Sequence, residues 1–408
     1  MKIVMFTDSY WPRVNGVSVS VESFAYTLIK RGHEVLIICP FYPETATPER
    51  FSLTAPKHDC AIPESSIIRV PSIPLYISKE DRLSKKHKMF WVKRKIDKFN
   101  PDIIHIQSEF VTAGFGYYCA RLQKIPTVYT LHTLWENYMK NYLPYIPMFV
   151  LRIIVRIVRS RTFRRTYRVI VPSQMIYDLA CRYKLKKEPY LLPTGIDENI
   201  FQNTKEDIDT FKTLMELKYP IIKGKKILLF AGRIGREKNI DLLMKIAPSI
   251  IQKHPEVIFL IVGNGPDMYW YKEECISLAI QDHIIFSGYM ERKDLSLAYA
   301  VSYIFVFPSM SETQGLVTIE AMLSGLPVVA IGEGGTKTMM NGDNGGFMVK
   351  NDEDEFANRI VQLLEDTDLY EKKSAEAKEY AKKWTIDIMT ERLEKIYKEI
   401  ISDYKREN

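Results

Sequence analysis

At 408 residues, 46% hydrophobic and 26% charged with a formal net charge of +7, the chain is too long for one ordinary core and too apolar for a disordered or fibrous protein, so two domains are expected. Its five cysteines (Cys39, Cys60, Cys119, Cys181, Cys275) are scattered and never form a C-x-x-C pair, which argues against a disulfide framework or a zinc site and fits a reducing cytoplasm. The N-terminal "MKIVMFTDSYW" is too short an apolar run for a signal segment, and no run long enough to span a membrane occurs, so any membrane attachment is expected to be peripheral.

In chain order, "KIVMFT" predicts a buried parallel strand, "SVSVESFAYTLIKRGH" the helix after it, and "EVLIICP" the next strand, the opening of a doubly wound sheet. At the first turn, "VNGVSVS" puts Gly16 beside a helix start. There a ligand can approach the backbone and unpaired N–H groups can meet an anion, although a plain turn glycine explains it as well. Strands at "DIIHIQ", "PTVYTLH", "RVIVPS" and "PYLLPTG" complete a first α/β domain, residues 1–195. Tyr10, Trp11, Glu109 and Trp135 fall at its strand ends and are candidates to line an acceptor cleft, or plain packing.

Two basic stretches interrupt this domain. "KEDRLSKKHKMFWVKRKIDK" carries Phe90 and Trp91 among its lysines, and Asn137 to Tyr177 contains no acid. In "LRIIVRIVRSRTFRRTYR", Arg152, Arg156 and Arg159 recur at i, i+4, i+7 while Ile153, Ile154, Ile157 and Val158 cover other faces. An arginine-faced helix with an apolar side fits an anionic membrane surface, where each basic residue contributes ~1 kcal/mol. A core-facing amphipathic helix with solvated charges is the alternative.

The alternation restarts with strands at "KKILLFAGR", "VIFLIVGNG", "HIIFSGY", "SYIFVFPS" and "LPVVAIG", giving a second domain over 196–385 after the linker "PTGIDENIFQ". The fold expected is α/β: two Rossmann-like, doubly wound parallel-sheet domains facing across a cleft. After Trp384 the chain ends in an amphipathic helix, 386–408, expected to return to the first domain.

Neither G-x-G-x-x-G after the first strand nor a P-loop occurs, which removes the usual signatures of nicotinamide enzymes and P-loop phosphatases. Instead Gly263 stands in "VGNGPD", and "GRIGREKN" sets Arg233 and Lys238 at a strand's carboxyl end, where two cations can stabilise a departing diphosphate. "SETQGLVTIEAMLSGLPVVA" places Glu312 on a loop and Glu320 on the following helix, with no cation nearby in sequence. A capping box explains one such glutamate but not both, and a carboxylate suits vicinal hydroxyls. The D-x-D patterns at 207–209 and 352–354 follow no core strand, so no metal is expected.

Together, E-x7-E followed by "AMLSGLPVVA", with "GRIGREKN", "VGNGPD" and "NGV" after the first strand, resembles the retaining nucleotide-sugar glycosyltransferases of family 4, with the GT-B fold. The resemblance covers nearly the whole chain. It implies that Glu320 binds a ribose, Glu312 the sugar hydroxyls, and Arg233 and Lys238 the diphosphate. Gly16 would lie against the phosphates, Gly263 in the donor site, and the backbone of Thr313, Gln314, Gly315, Leu316 and Val317 along sugar and phosphate. His132 in "YTLHT" matches the histidine bordering the reacting sugar; by itself it reads as a satisfied core histidine. "ETQGL", "PTGID", "FTDSYWPRVNGVSVS" and "LHTLWENY" resemble the branch that glycosylates diacylglycerol.

The activity implied is transfer of a hexose, glucose from UDP-glucose, to a membrane lipid such as diacylglycerol, without cofactor or metal. A GDP-mannose-dependent phosphatidylinositol mannosyltransferase, or a transferase on another lipid-linked or polysaccharide acceptor, is the runner-up. The partners expected are the nucleotide-sugar, the lipid acceptor and the anionic inner face of the cell membrane. Nucleic acid is not expected, because no nucleic-acid fold signature accompanies the basic stretches.

Overall fold

The computed structural model describes residues 1–13, 15–43, 62–75, 78–132 and 146–408. They divide into two compact units, one holding the described residues up to Gly195 together with Ile386–Asn408, the other Ile196–Thr385.

The first unit is a seven-stranded sheet of order β3-β2-β1-β6-β7-β8-β9, parallel throughout. Its strands are β1 Lys2–Phe6, β2 Glu34–Pro40, β3 Ile67–Val70, β6 Ile103–Ile106, β7 Thr127–Thr130, β8 Arg168–Val171 and β9 Tyr190–Leu191. The apolar runs KIVMF and IIHI read without alternation because helices cover both sheet faces. A short antiparallel pair, β4 Ser72–Leu75 and β5 Ser78–Ser84, lies outside this sheet. The helices are α1 Gly16–Lys30, α2 Phe90–Phe99, α3 Val111–Gln123, α4 Met148–Arg165 and α5 Gln174–Cys181.

The second unit repeats the plan with β10 Lys226–Ala231, β11 Val257–Val262, β12 Ile284–Gly288, β13 Ile304–Phe307, β14 Val328–Ile331 and β15 Gly346–Val349, in the order β12-β11-β10-β13-β14-β15. Its helices are α6 Lys205–Lys218, α7 Ile240–Lys253, α8 Met268–Ser277, α9 Arg292–Val301, α10 Leu316–Leu323, α11 Gly334–Met340, α12 Glu353–Glu365 and α13 Thr367–Ala381. In both sheets the strand order reverses beside the first strand, between β1 and β6 and between β10 and β13. Such reversal points leave a crevice at the carboxyl ends of the strands, where ligands of open parallel sheets bind.

Ile196 and Thr385, the two ends of the second unit, pair with each other, and the Ile196 amide donates to the Trp384 carbonyl. The last helix, α14 Ile386–Glu407, belongs to the first unit. It buries Met389, Leu393, Tyr397 and Ile400, a stripe of helical spacing. Polar clasps flank that stripe: Glu394 accepts from Arg31 at 2.6 Å and meets His33 at 3.0 Å, and Asp403 takes Arg168 at 3.1 Å.

Candidate functional site

In the second unit, Arg233 and Lys238 follow β10 and Glu312 follows β13, so all three flank the reversal point. The loop bearing the two cations is fixed by its neighbour after β11. The Gly232 amide donates to Val262, the Ile234 amide to Asn264, and the Arg236 amide to the Asp267 carboxylate. Gly263 has φ +137°, and a Cβ there would run into the Gly232 carbonyl. Close packing of two loops therefore requires glycine here.

Lys238 is 8% exposed and its Nζ donates to Glu312 Oε1, which also accepts from Ser309 at 3.2 Å. Neither glutamate has a cation nearby in sequence, but both meet one in space. Glu320 faces Arg292 at 3.8 Å and accepts from the Tyr299 hydroxyl at 3.3 Å. Burial raises the Glu320 carboxyl above its ordinary range, partly offset by Arg292 and Tyr299. Arg233 is half exposed and pairs with Glu237 at 3.4 Å.

Between the glutamates, Thr313–Gly315 leads into α10. Gly315 has φ +77°, and a Cβ there would sit 3.0 Å from the Thr336 backbone, so the turn accommodates only glycine without strain. No side chain caps α10, which leaves the first N–H groups at Leu316 and Val317 available to an anion. Gln314 Nε2 and Thr336 Oγ1 are buried with no hydrogen-bond partner among the described residues. Orphaned polar atoms beside an uncapped helix start mark a place for a polar ligand. The second loop of this floor, "GEGGTK" after β14, was not singled out in the sequence, although it repeats the strand–glycine–helix pattern. The Gly335 amide donates to the Glu312 carbonyl at 2.8 Å and ties it in place.

In the first unit, His132 follows β7 and its Nε2 lies 2.7 Å from Gln107 Oε1. Gln107 Nε2 reaches His105 Nδ1 at 3.2 Å, and His105 also contacts the Tyr397 hydroxyl at 2.6 Å and Thr130 at 2.7 Å. Burial pushes His132 down to about 4 and His105 to about 3, so both are neutral at pH 7. His132 therefore offers hydrogen bonds and no charge. The role of Gln107 and His105 as its support was missed in the sequence; both lie on or just after β6, in "DIIHIQ".

Other expectations for this unit change. Tyr10 is fully buried and Trp11 7% exposed, with the indole N–H donating to Glu22, so among the described residues they serve packing. Glu109 accepts the Tyr129 hydroxyl. Trp135 lies outside the described residues. At α1, the Asn15 side chain accepts from the Val17 and Ser18 amides, so two of the N–H groups expected to await an anion are already capped. Gly16 itself has open space where a Cβ would stand.

The basic helix is α4. Arg152 and Arg156 are exposed, but Arg159 is 2% exposed and lies against Tyr183. It belongs to the buried stripe of Leu151, Val155, Thr162 and Phe163, so the three-arginine face is corrected to two. The apolar residues expected on other faces are not in the core: Ile153, Ile154, Ile157 and Val158 are 54%, 39%, 46% and 39% exposed. On α2, Phe90 and Trp91 are also exposed, Trp91 beneath Lys95 at 5.1 Å.

Residues 14–200 match the family described as Glycosyltransferase Family 4, and residues 212–384 match Glycosyl transferases group 1. The chain is 33% identical over 335 residues to an alpha-monoglucosyldiacylglycerol synthase of Streptococcus pneumoniae, covering 81% of this chain and 71% of that protein. It is 25% identical to a GDP-mannose-dependent alpha-mannosyltransferase of Mycolicibacterium smegmatis, over 83% and 82% of the two chains. Among solved structures, Anabaena HepE in complex with UDP shares the fold with a TM-score of 0.73 at 18% identity, covering 98% and 100% of the two chains.

Proposed function

The chain belongs to the glycosyltransferases of family 4 and group 1, and from that premise we propose that it transfers glucose from UDP-glucose to diacylglycerol at an anionic membrane surface, with retention of configuration. The second unit is the donor side. Glu320 accepts the ribose hydroxyls, Glu312 the sugar hydroxyls through Oε2, and Arg233, Lys238 and the α10 N–H groups hold the diphosphate. The observation that carries this assignment is the Lys238–Glu312 pair at the β10/β13 reversal point, which sets a cation and a hydroxyl acceptor side by side.

In the reaction, the bond from the anomeric carbon to the diphosphate oxygen breaks and its electron pair leaves with the nucleoside diphosphate. The Lys238 and Arg233 charges and the helix N–H groups stabilise that developing charge. The acceptor hydroxyl bonds to the oxocarbenium-like carbon from the same face and passes its proton to the leaving phosphate. In the first unit neutral His132 is assigned a hydrogen bond to a hydroxyl.

A lipid acceptor is supported by the exposed apolar and arginine residues of α4, with Phe90 and Trp91 of α2, which suit the interfacial region of a bilayer. It is also supported by the similarity to a monoglucosyldiacylglycerol synthase. The test is transfer of label from UDP-glucose into the lipid phase of diacylglycerol-containing vesicles. Label that stays in water refutes the acceptor assignment.

A further inference from the structure

At the opposite end of β7 from His132, where Thr127 begins the strand, a cavity of about 460 Å³ opens among α3, the end of α4 and α14. Four cations line it, Arg121, Arg164, Arg165 and Lys186, together with the rings of Tyr117, Tyr118, Tyr167 and Tyr404, and no acid does. None of the four forms an ion pair among the described residues. The neighbouring cations are neutralised: Arg168 by Asp403 at 3.1 Å and Lys187 by Glu407 at 2.5 Å. Arg168 and Lys187, next to the cavity, thus have acidic partners, whereas the four cations that line it have none among the described residues. Four unpaired like charges around one cavity repel each other unless an anion enters.

We propose that this cavity binds a phosphate ester. Its volume lies within the roughly 300–1,000 Å³ of small-molecule sites and exceeds what a bare phosphate fills, so an esterified alcohol fits beside the guanidinium groups. Two arginines at the end of one helix suit bidentate capture of phosphate oxygens. The exposed stripe of α4 continues through Ile153, Ile154, Ile157, Val158 and Arg161 into Arg164 and Arg165 at steps of three and four residues. An anionic lipid headgroup is accordingly the natural source, a free phosphate ester the other. The choice of source rests on the membrane reading above; the phosphate chemistry does not.

The test titrates the full chain with dihexanoylphosphatidylglycerol below its micelle concentration, and separately with glycerol phosphate, inorganic phosphate and dihexanoylglycerol. The expected result is saturable binding of the phosphate esters and none of dihexanoylglycerol. Binding should weaken at least ~10-fold in an Arg121→Ala, Arg165→Ala double variant but not in Arg156→Ala. Both replaced side chains are exposed, so the double variant is expected to keep the wild-type melting temperature. If glycerol phosphate at equal concentration displaces the short-chain lipid, the site serves a free phosphate ester; if it does not, the site serves a headgroup. No saturable binding of any phosphate probe, or unchanged binding by the double variant, overturns the proposal. Loss of vesicle attachment with short-chain lipid binding intact would strike the membrane reading and spare the pocket.

Discussion

Replacing Glu320 by Gln separates what the carboxylate does for the donor from what it costs the fold. Its Oε1 lies 3.8 Å from Arg292 and Oε2 accepts from Tyr299, with 15% of the side chain exposed. At an effective dielectric of about 20 the Arg292 attraction is about 4 kcal/mol before desolvation. The carboxyl nonetheless stays above its ordinary range because burial outweighs that attraction. A carboxyl raised in the folded state stabilises the fold at low pH, and that contribution is lost as pH rises through the ordinary glutamate range toward the raised value. Burial makes the ionised carboxylate a net cost to the fold, so Glu320→Gln should leave the melting temperature of the second unit unchanged or raise it by about 2–4 °C, equivalent to ~1 kcal/mol. Two hydroxyl hydrogen bonds to a carboxylate contribute about 1.5–3 kcal/mol each, against about 1 for a neutral acceptor. Donor affinity should therefore fall by about 1–4 kcal/mol, roughly 5- to 900-fold, with turnover at saturation little changed. Calorimetric titration with the nucleoside diphosphate and thermal unfolding at pH 7 read both arms. Affinity within threefold of wild type, or a fall in melting temperature that alone accounts for weaker binding, refutes the assignment.

Lys238→Ala should lower turnover by about 10²–10³ with a smaller change in donor KM, since it withdraws charge from the leaving group; steady-state kinetics decide, and equal effects on both constants would make it a binding residue only. For His132 and His105, held near 4 and 3, the neutral forms support the fold fully above pH 6.5, and that support is lost as pH falls toward the folded values. Stepwise unfolding of the first unit should show declining stability from pH 6.5 to 4, shallower in His105→Gln; a flat profile contradicts the burial. Replacing Arg152 and Arg156 together should weaken attachment to anionic vesicles by ~2 kcal/mol, whereas Arg159→Ala should lower the melting temperature; sedimentation with vesicles and thermal unfolding distinguish them. The glycolipid product should carry the anomeric configuration of its donor, readable from proton couplings, and an inverted product would exclude the same-face mechanism.

The parallel strands were legible because KIVMF, KILLFA and VIFLIV are unbroken apolar runs bounded by polar turns. β3 and β15 were missed: IIRV and GFMV are only four residues each, IIRV with a charged residue inside it and GFMV beginning on glycine, so neither reads as an unbroken apolar run despite the turn residues beside it. On α4 the arginine spacing was read without the stripe beside it. Leu151, Val155 and Phe163 recur at helical steps and include position 159, so the core face was visible in the same letters. Glu312 and Glu320 were recognised, but their partners Lys238 and Arg292 come from other loops and helices that only the sheet order brings near. The packing that requires glycine at 263, against the Gly232 carbonyl of the neighbouring loop, was not legible, because it too depends on the sheet order.

The central claim is tested most directly by release of nucleoside diphosphate from a panel of UDP- and GDP-sugars, with and without anionic vesicles containing diacylglycerol. Turnover of UDP-glucose that rises when diacylglycerol is present is the predicted result. Turnover confined to GDP-mannose, or indifferent to the lipid, would contradict the claimed donor or acceptor.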